Sequence, residues 1–128
     1  SPDSGIIEAI PDTLSLDALK KHTNGRTTLL EFFEQQFGDP SSARFERARD
    51  NFIRSLAAYS IATYLLQVKD RHNGNILLDS RGHIIHIDFG FILGRTPGGN
   101  FGFETAPFKL TREFIEVIGP PRSRSFLR

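Results

Sequence analysis

The sequence predicts an α+β fold, mostly helical with a small β-hairpin. Three observations carry that prediction. Residues 43–68 place Phe45, Ala48, Phe52, Leu56, Tyr59 and Ala62 on roughly one helical face. Residues 76–78 and 84–87 are two short apolar runs separated by a turn that includes Ser80-Arg81-Gly82, the pattern of a hairpin. Ser15, Thr28 and Thr111 each stand before a helix-compatible run, and Gly38 and Gly119 close two of those runs.

The elements follow in order. Residues 6–10 are a short apolar run ended by Pro11 and read as a strand leading into a connector. Ser15 caps a short helix to about His22, and Asn24-Gly25 breaks it. Thr28 and Glu31 match a capping box that opens a helix through Phe37, with Gly38 as its stop. Residues 39–42 form a linker that can cap the next, long helix, expected over residues 43–68. Past Leu56 that helix is apolar almost all round, so its second half is expected to be buried. Residues 90–108 are punctuated by Gly94, Pro97, Gly98, Gly99, Gly102 and Pro107 and read as a long loop. Thr111 caps a last helix through Ile118, and Pro120 and Pro121 forbid its continuation.

Composition narrows the function classes. At 128 residues the chain is one domain's worth or part of a larger one. Hydrophobic residues at 38%, with 12 Phe, argue for a packed core. Sixteen basic against 15 acidic residues exclude nucleic-acid binding by bulk charge. Without Cys there is neither a disulfide framework nor a thiolate metal site. The longest apolar-looking run, residues 56–66, is too short to span a membrane, which takes about 20 residues. No Met is present and no signal-peptide pattern opens the chain, which therefore reads as an excerpt of a longer protein.

The polar stretch between the long helix and the second hairpin strand carries the chemistry. Asp70 precedes Asn75 by five positions, the Asp-x-x-x-x-Asn spacing of a kinase catalytic loop, and Asn75 precedes Asp88 of an Asp-Phe-Gly by thirteen. On that spacing Asn75 and Asp88 are the candidate metal ligands and Asp70 the candidate acceptor of a substrate proton. His72, two residues after Asp70, is either the general base or a group that stabilises charge on the transferring phosphate; the first reading is preferred, with Asp70 orienting it or the substrate. Arg71 reads as a structural donor to loop carbonyls, and His83 and His86 as strand residues held by packing or a main-chain hydrogen bond. The four His do not form a zinc ligand set by spacing.

Leu65-Leu-Gln-Val-Lys-Asp-Arg-His-Asn-Gly-Asn-Ile-Leu-Leu-Asp79, followed by Gly82-His-Ile-Ile-His-Ile-Asp-Phe-Gly-Phe-Ile-Leu93, closely resembles the type III phosphatidylinositol 4-kinases, the beta branch best. Gly102-Phe-Glu-Thr105 and Pro107-Phe-Lys-Leu-Thr111 resemble that family's activation-loop end, and Gly5-Ile-Ile-Glu-Ala-Ile10 its hinge. Lys69 stands where phosphoinositide 3-kinases and the related large protein kinases usually carry Gly, and Lys109 where phosphoinositide 3-kinases usually carry an aliphatic residue. The resemblance covers roughly residues 5–119.

The resemblance implies a protein-kinase-like C-lobe with its β-hairpin at the active site. It implies that the N-lobe lies before residue 1 and the C-terminal helices after Gly119. Residues 1–119 are then a partial catalytic domain and residues 120–128 a divergent, disordered tail, and the isolated chain is expected to be inactive. The implied reaction is transfer of the ATP γ-phosphate to the 4-hydroxyl of phosphatidylinositol, with Mg2+ as the ion and Mn2+ as its alternative. The 4-position comes from the resemblance alone. The adenine edge is expected on the main chain of Glu8 and Ile10, over a floor of Leu77 and Ile87. Lys69, Arg95 and Lys109 are the expected substrate and activation-loop contacts. Arg95 and Glu104 are the only charges within residues 89–108, which suits phosphatidylinositol rather than a polyphosphorylated headgroup. Phe91, Phe101, Phe103 and Phe108 could reach a membrane interface, with core packing preferred. The implied setting is a cytoplasmic enzyme, peripheral on intracellular, Golgi-like membranes, with no nucleic-acid partner. A protein Ser/Thr kinase of the same superfamily and an inactive truncated fragment are the rival readings.

Overall fold

A computed structural model of the chain describes residues 3–95 and 110–120. The elements run β1 (Thr13–Ser15), α1 (Leu16–His22), α2 (Leu29–Phe37), α3 (Ala43–Leu65), a single 3-10 turn (Asn73–Asn75), β2 (Ile76–Asp79), β3 (Ile84–His86) and α4 (Arg112–Ile118). The three strands form one antiparallel sheet in the order β1-β2-β3.

The starts of α1, α2, α3 and α4 are each set by a hydroxyl at the N-cap. Ser15, Thr28, Ser42 and Thr111 each accept from the main-chain N–H three residues on, satisfying a donor that the helix itself leaves unpaired. At Thr28 the box is complete, because Glu31 Oε2 accepts from the Thr28 amide at 2.8 Å. Gly38 and Gly119 close α2 and α4 at φ of 92° and 89°, a region costly for a residue with a Cβ.

The core lies where α2, α3 and α4 meet the sheet. Phe33, Phe45 and Phe52 are fully buried, and burial of each contributes roughly 1.5–3 kcal/mol. Phe33 contacts Phe37 and Phe52 at ring separations of 5.1 and 5.5 Å, and Phe52 meets Phe114 of α4 edge-on at 5.5 Å. Arg49 of α3 donates to the Val117 carbonyl at 3.0 Å, covering one of the carbonyls that α4 leaves open at its end.

Three expectations are corrected. Residues 6–10 are irregular rather than a strand, and Ile6 and Ile7 are fully exposed. The strand forms instead at Thr13–Ser15, past Pro11, where it finds the free edge of β2 in the register Thr13↔Asp79, Leu14↔Leu78, Ser15↔Leu77. The small hairpin is therefore two-thirds of a three-stranded sheet. α3 ends at Leu65 rather than Val68, because Gln67 turns left-handed (φ 49°) and the Val68 and Gln67 amides bond back to the Thr63 and Tyr64 carbonyls. The second half of α3 is buried on one face only. Thr63 is buried there, whereas Ile61, Tyr64 and Leu65 are 63%, 62% and 68% exposed. An all-apolar helix needs neighbours on every side, and the described residues supply them only toward the sheet.

That one face positions the site. Ala48, Asn51, Ser55 and Tyr59 follow each other at helical spacing along α3, and each holds a point of the hairpin. A Cβ on Gly82 would lie 2.6 Å from the Ala48 carbonyl oxygen, so the turn packs on bare main chain. Asn51 donates to the Arg81 carbonyl at 2.9 Å, and Ser55 Oγ accepts from the Ile84 amide at 3.0 Å. Tyr59 stacks on His86 with ring centroids 4.6 Å apart.

Candidate active site

α3 delivers the chain through buried Val68 to Lys69 and Asp70, and β3 delivers it to Asp88. The two loops run side by side and are bonded to each other. The Lys69 amide donates to the Phe91 carbonyl at 2.8 Å, and the Leu93 amide to the Leu66 carbonyl at 2.9 Å. The Ile87 amide donates to the Asn75 carbonyl at 3.0 Å.

Asp70 and Asp88 both sit in the left-handed region, at φ of 62° and 58°. That conformation costs on the order of 1 kcal/mol for a residue with a Cβ, although Asp tolerates it better than most. It persists where the surroundings over-determine it. The surroundings here include Arg71, whose Nε donates to the Lys69 carbonyl at 3.0 Å, Nη1 to the Ile87 carbonyl at 2.8 Å and Nη2 to the Asp88 carbonyl at 2.6 Å. The sequence reading of Arg71 as a donor to loop carbonyls therefore holds.

Asn75 is buried, and its Nδ2 donates to the Asp70 carbonyl at 2.9 Å. This commits the NH2 end of the amide and leaves Oδ1 as the free end. Asp88 is exposed, and its carboxylate has no ion-pair partner among the described residues. Two oxygen donors on abutting loops fit a hard divalent ion, which Asn75 Oδ1 and the Asp88 carboxylate would hold. Among the described residues no three His, Asp or Glu side chains gather into a metal cluster of their own.

His72 points its two nitrogens at different partners. Nδ1 accepts from the Gly74 amide at 3.1 Å, and Nε2 lies 3.8 Å from Asp70 Oδ2. An Nδ1 that accepts carries no proton, so in the neutral ring the proton sits on Nε2, toward Asp70.

His86 is buried between the loops and α3, with Nδ1 unpartnered. Burial, and then the nearby Arg71 charge, push its pKa down to about 4, so it is neutral at pH 7. Its role is the packing one expected of a strand His. His83 bonds Asp79 Oδ2 through Nδ1 at 2.9 Å, at the far end of the hairpin.

The structure thus brings Asp70, His72, Asn75 and Asp88 together, with half-buried Lys69 beside them. Leu77, in β2, and Ile87, just past the end of β3, are half-buried. Arg95 is exposed. Glu8 is exposed and Ile10 half-buried in the irregular N-terminal segment; the Glu8 carbonyl and the Ile10 amide make no main-chain hydrogen bond among the described residues. Lys109, Phe101, Phe103 and Phe108 lie outside the described residues. A cavity of about 300 Å3 opens beside Asn73, lined by Leu16, Leu19, Leu29 and Phe114, but none of the four clustered residues lines it. Sequence reasoning missed the two aromatic supports: Phe89, whose ring lies 5.4 Å beneath the Arg71 guanidinium, and Tyr59 beneath His86. Tyr59 was legible as part of the helical face, but not what that face touches.

The sequence profile of the family described as phosphatidylinositol 3- and 4-kinase matches residues 1–128. A phosphatidylinositol 4-kinase of Dictyostelium discoideum is 62% identical over 126 residues, covering 98% of this chain and 11% of the relative. The phosphatidylinositol 4-kinases pik1 and stt4 of Schizosaccharomyces pombe are 50% and 53% identical, covering 91% and 93% of this chain and 15% and 6% of their own lengths. The chain thus spans a small part of the curated relatives it matches. With its full length matched, the chain belongs to the phosphatidylinositol 3- and 4-kinase family.

Proposed function

We propose that this chain is the catalytic-loop and metal-loop segment of a phosphatidylinositol 4-kinase with a kinase-like C-lobe. The observation that carries this reading is the juxtaposition of Asp70, Asn75 and Asp88 on two loops bonded to each other. The lipid and the 4-hydroxyl come from the names of the relatives. The beta-type assignment rests on the motif resemblance.

In this reading Asn75 Oδ1 and the Asp88 carboxylate hold Mg2+, or Mn2+ in its place. When bound, that ion neutralises charge on the phosphates of ATP. Asp70 orients the attacking lipid hydroxyl and takes its proton. The sequence reading prefers His72 as base, but the Gly74 amide supports a different division of labour. To accept a proton on Nε2, a neutral His72 would need its own proton on Nδ1, opposite the Gly74 N–H. His72 is better suited to donate from Nε2 toward Asp70 and the transferring phosphate. The free Glu8 carbonyl and Ile10 amide are available to an adenine edge, with Leu77 and Ile87 as its floor. Lys69, Arg95 and Lys109 would face the lipid headgroup. The enzyme would act as a cytoplasmic protein docked peripherally on an intracellular membrane; among the described residues no helix is long and apolar enough to cross one.

The test is a chimera in which this chain replaces the matching segment of the Dictyostelium relative, offered phosphatidylinositol vesicles and a Ser/Thr peptide mixture with Mg-ATP. Transfer to the lipid and not to peptide is expected. Transfer to peptide alone would establish the protein-kinase reading instead.

A further inference from the structure

Arg71 makes a pattern of bonds that neither its exposed neighbours nor the spacing of the acidic residues explains. Its three bonded acceptors are all main-chain carbonyls. One belongs to the residue before Asp70, one to the residue before Asp88 and one to Asp88 itself. Asp70 and Asp88 are also the two left-handed acidic residues of the site. A single planar guanidinium therefore spans both turns, and its central carbon lies over the Phe89 ring, 5.4 Å from the centroid. Burial draws the Arg71 pKa down, and the charges of Asp70 and Asp88 draw it back up.

We infer that Arg71 is a positioning residue: its guanidinium ties the Asp70 turn to the Asp88 turn, and Phe89 is the platform that holds the guanidinium in plane. The fork supplies three N–H groups in fixed directions. A lysine ammonium, compact and tetrahedral on a flexible stem, cannot match the guanidinium's fixed fork to all three carbonyls. The geometry of the tie stands by itself, whereas its consequence for turnover rests on the kinase reading.

The exchange arm uses the 128-residue chain. In Arg71→Lys, the Lys69 and Ile87 amides, which bond across the two loops, should exchange with solvent about tenfold faster. The Asp79 and Ile84 amides, which belong to the hairpin and its seat on α3, should keep their rates. Unchanged rates at Lys69 and Ile87 would overturn the inference, as would an equal acceleration at all four positions, since that marks a general loss of stability. If Arg71→Lys does not fold, Phe89→Leu decides. It removes the platform and keeps an apolar side chain, and it should speed the same two amides while sparing the other two; the same two contrary results would overturn the inference.

The turnover arm uses the chimera. Arg71→Lys should lower kcat on the order of a hundredfold, the cost of misplaced reacting groups, with KM for the lipid unchanged. A raised KM with kcat intact would mean that Arg71 grips substrate and would overturn the positioning role. A chimera inactive with Arg71 in place would sink the kinase reading, while the exchange pattern would still decide what Arg71 does.

Discussion

The side-chain amide of Asn75 donates to the main-chain carbonyl of Asp70 at 2.9 Å, so the candidate metal ligand also braces the turn of the candidate base. Asn75→Ala should therefore act twice. In the chimera it should abolish turnover. In the 128-residue chain it should lower the denaturant-derived stability by about 1 kcal/mol, the net worth of one hydrogen bond. Loss of activity with stability unchanged would mean that the brace contributes nothing.

Asp70 and His72 are separated by their partners. With the Gly74 amide holding Nδ1, Asp70→Asn should lower kcat about a hundredfold or more, the scale of acid–base catalysis. His72→Ala should cost less, about tenfold, as the loss of one charge-assisted hydrogen bond. Steady-state kinetics across pH check this. If His72→Ala costs as much as Asp70→Asn and removes a limb of the pH profile, His72 is the base.

Gly82 seats the hairpin on α3. At φ 93°, with the Ala48 carbonyl 2.6 Å from any added Cβ, Gly82→Ala combines backbone strain with overpacking against main chain. A loss of roughly 2–4 kcal/mol is expected in urea unfolding. A change under half of that would show that the seam between α3 and the turn can yield.

Asp79 sets an acid limit. Burial pushes its pKa up, but hydrogen bonds from the His83 amide and ring and the Arg81 amide outweigh it and hold the carboxyl below its ordinary 3.8. A depressed carboxyl stabilises the fold above its unfolded pKa, and that contribution is lost as pH falls through the folded one. Asp79→Asn should thus be less stable than the parent chain at pH 7, and the gap should close in strongly acidic solution. Melting curves from pH 7 down to about 2 measure it. A gap independent of pH would mean that the Asp79 charge is not what stabilises.

How much of this was legible in the sequence follows from how local each signal is. The caps at Ser15, Thr28 and Thr111 were readable, because an N-cap needs only one hydroxyl and the amide three residues on. The end of α3 was not, because its left-handed closing position is Gln67 rather than the glycine that usually marks it. The first strand is not legible because Thr13–Ser15, at three residues, is too short for its alternation to count as a signal, and only the open edge of β2 makes it a strand. In the site, spacing alone singled out Asp70, Asn75 and Asp88. The supports from Phe89 and Tyr59 come from chain segments that meet only once folded.

The measurement that bears most directly on the central claim is the position of the transferred phosphate. The chimera and its Asp88→Asn variant are given γ-labelled ATP, Mg2+ and phosphatidylinositol, and the inositol headgroup is released and resolved by chromatography. The account predicts label on the 4-position with Asp88 present and none with Asn in its place. Label on the 3-position, or equal labelling by the Asp88→Asn variant, would contradict it.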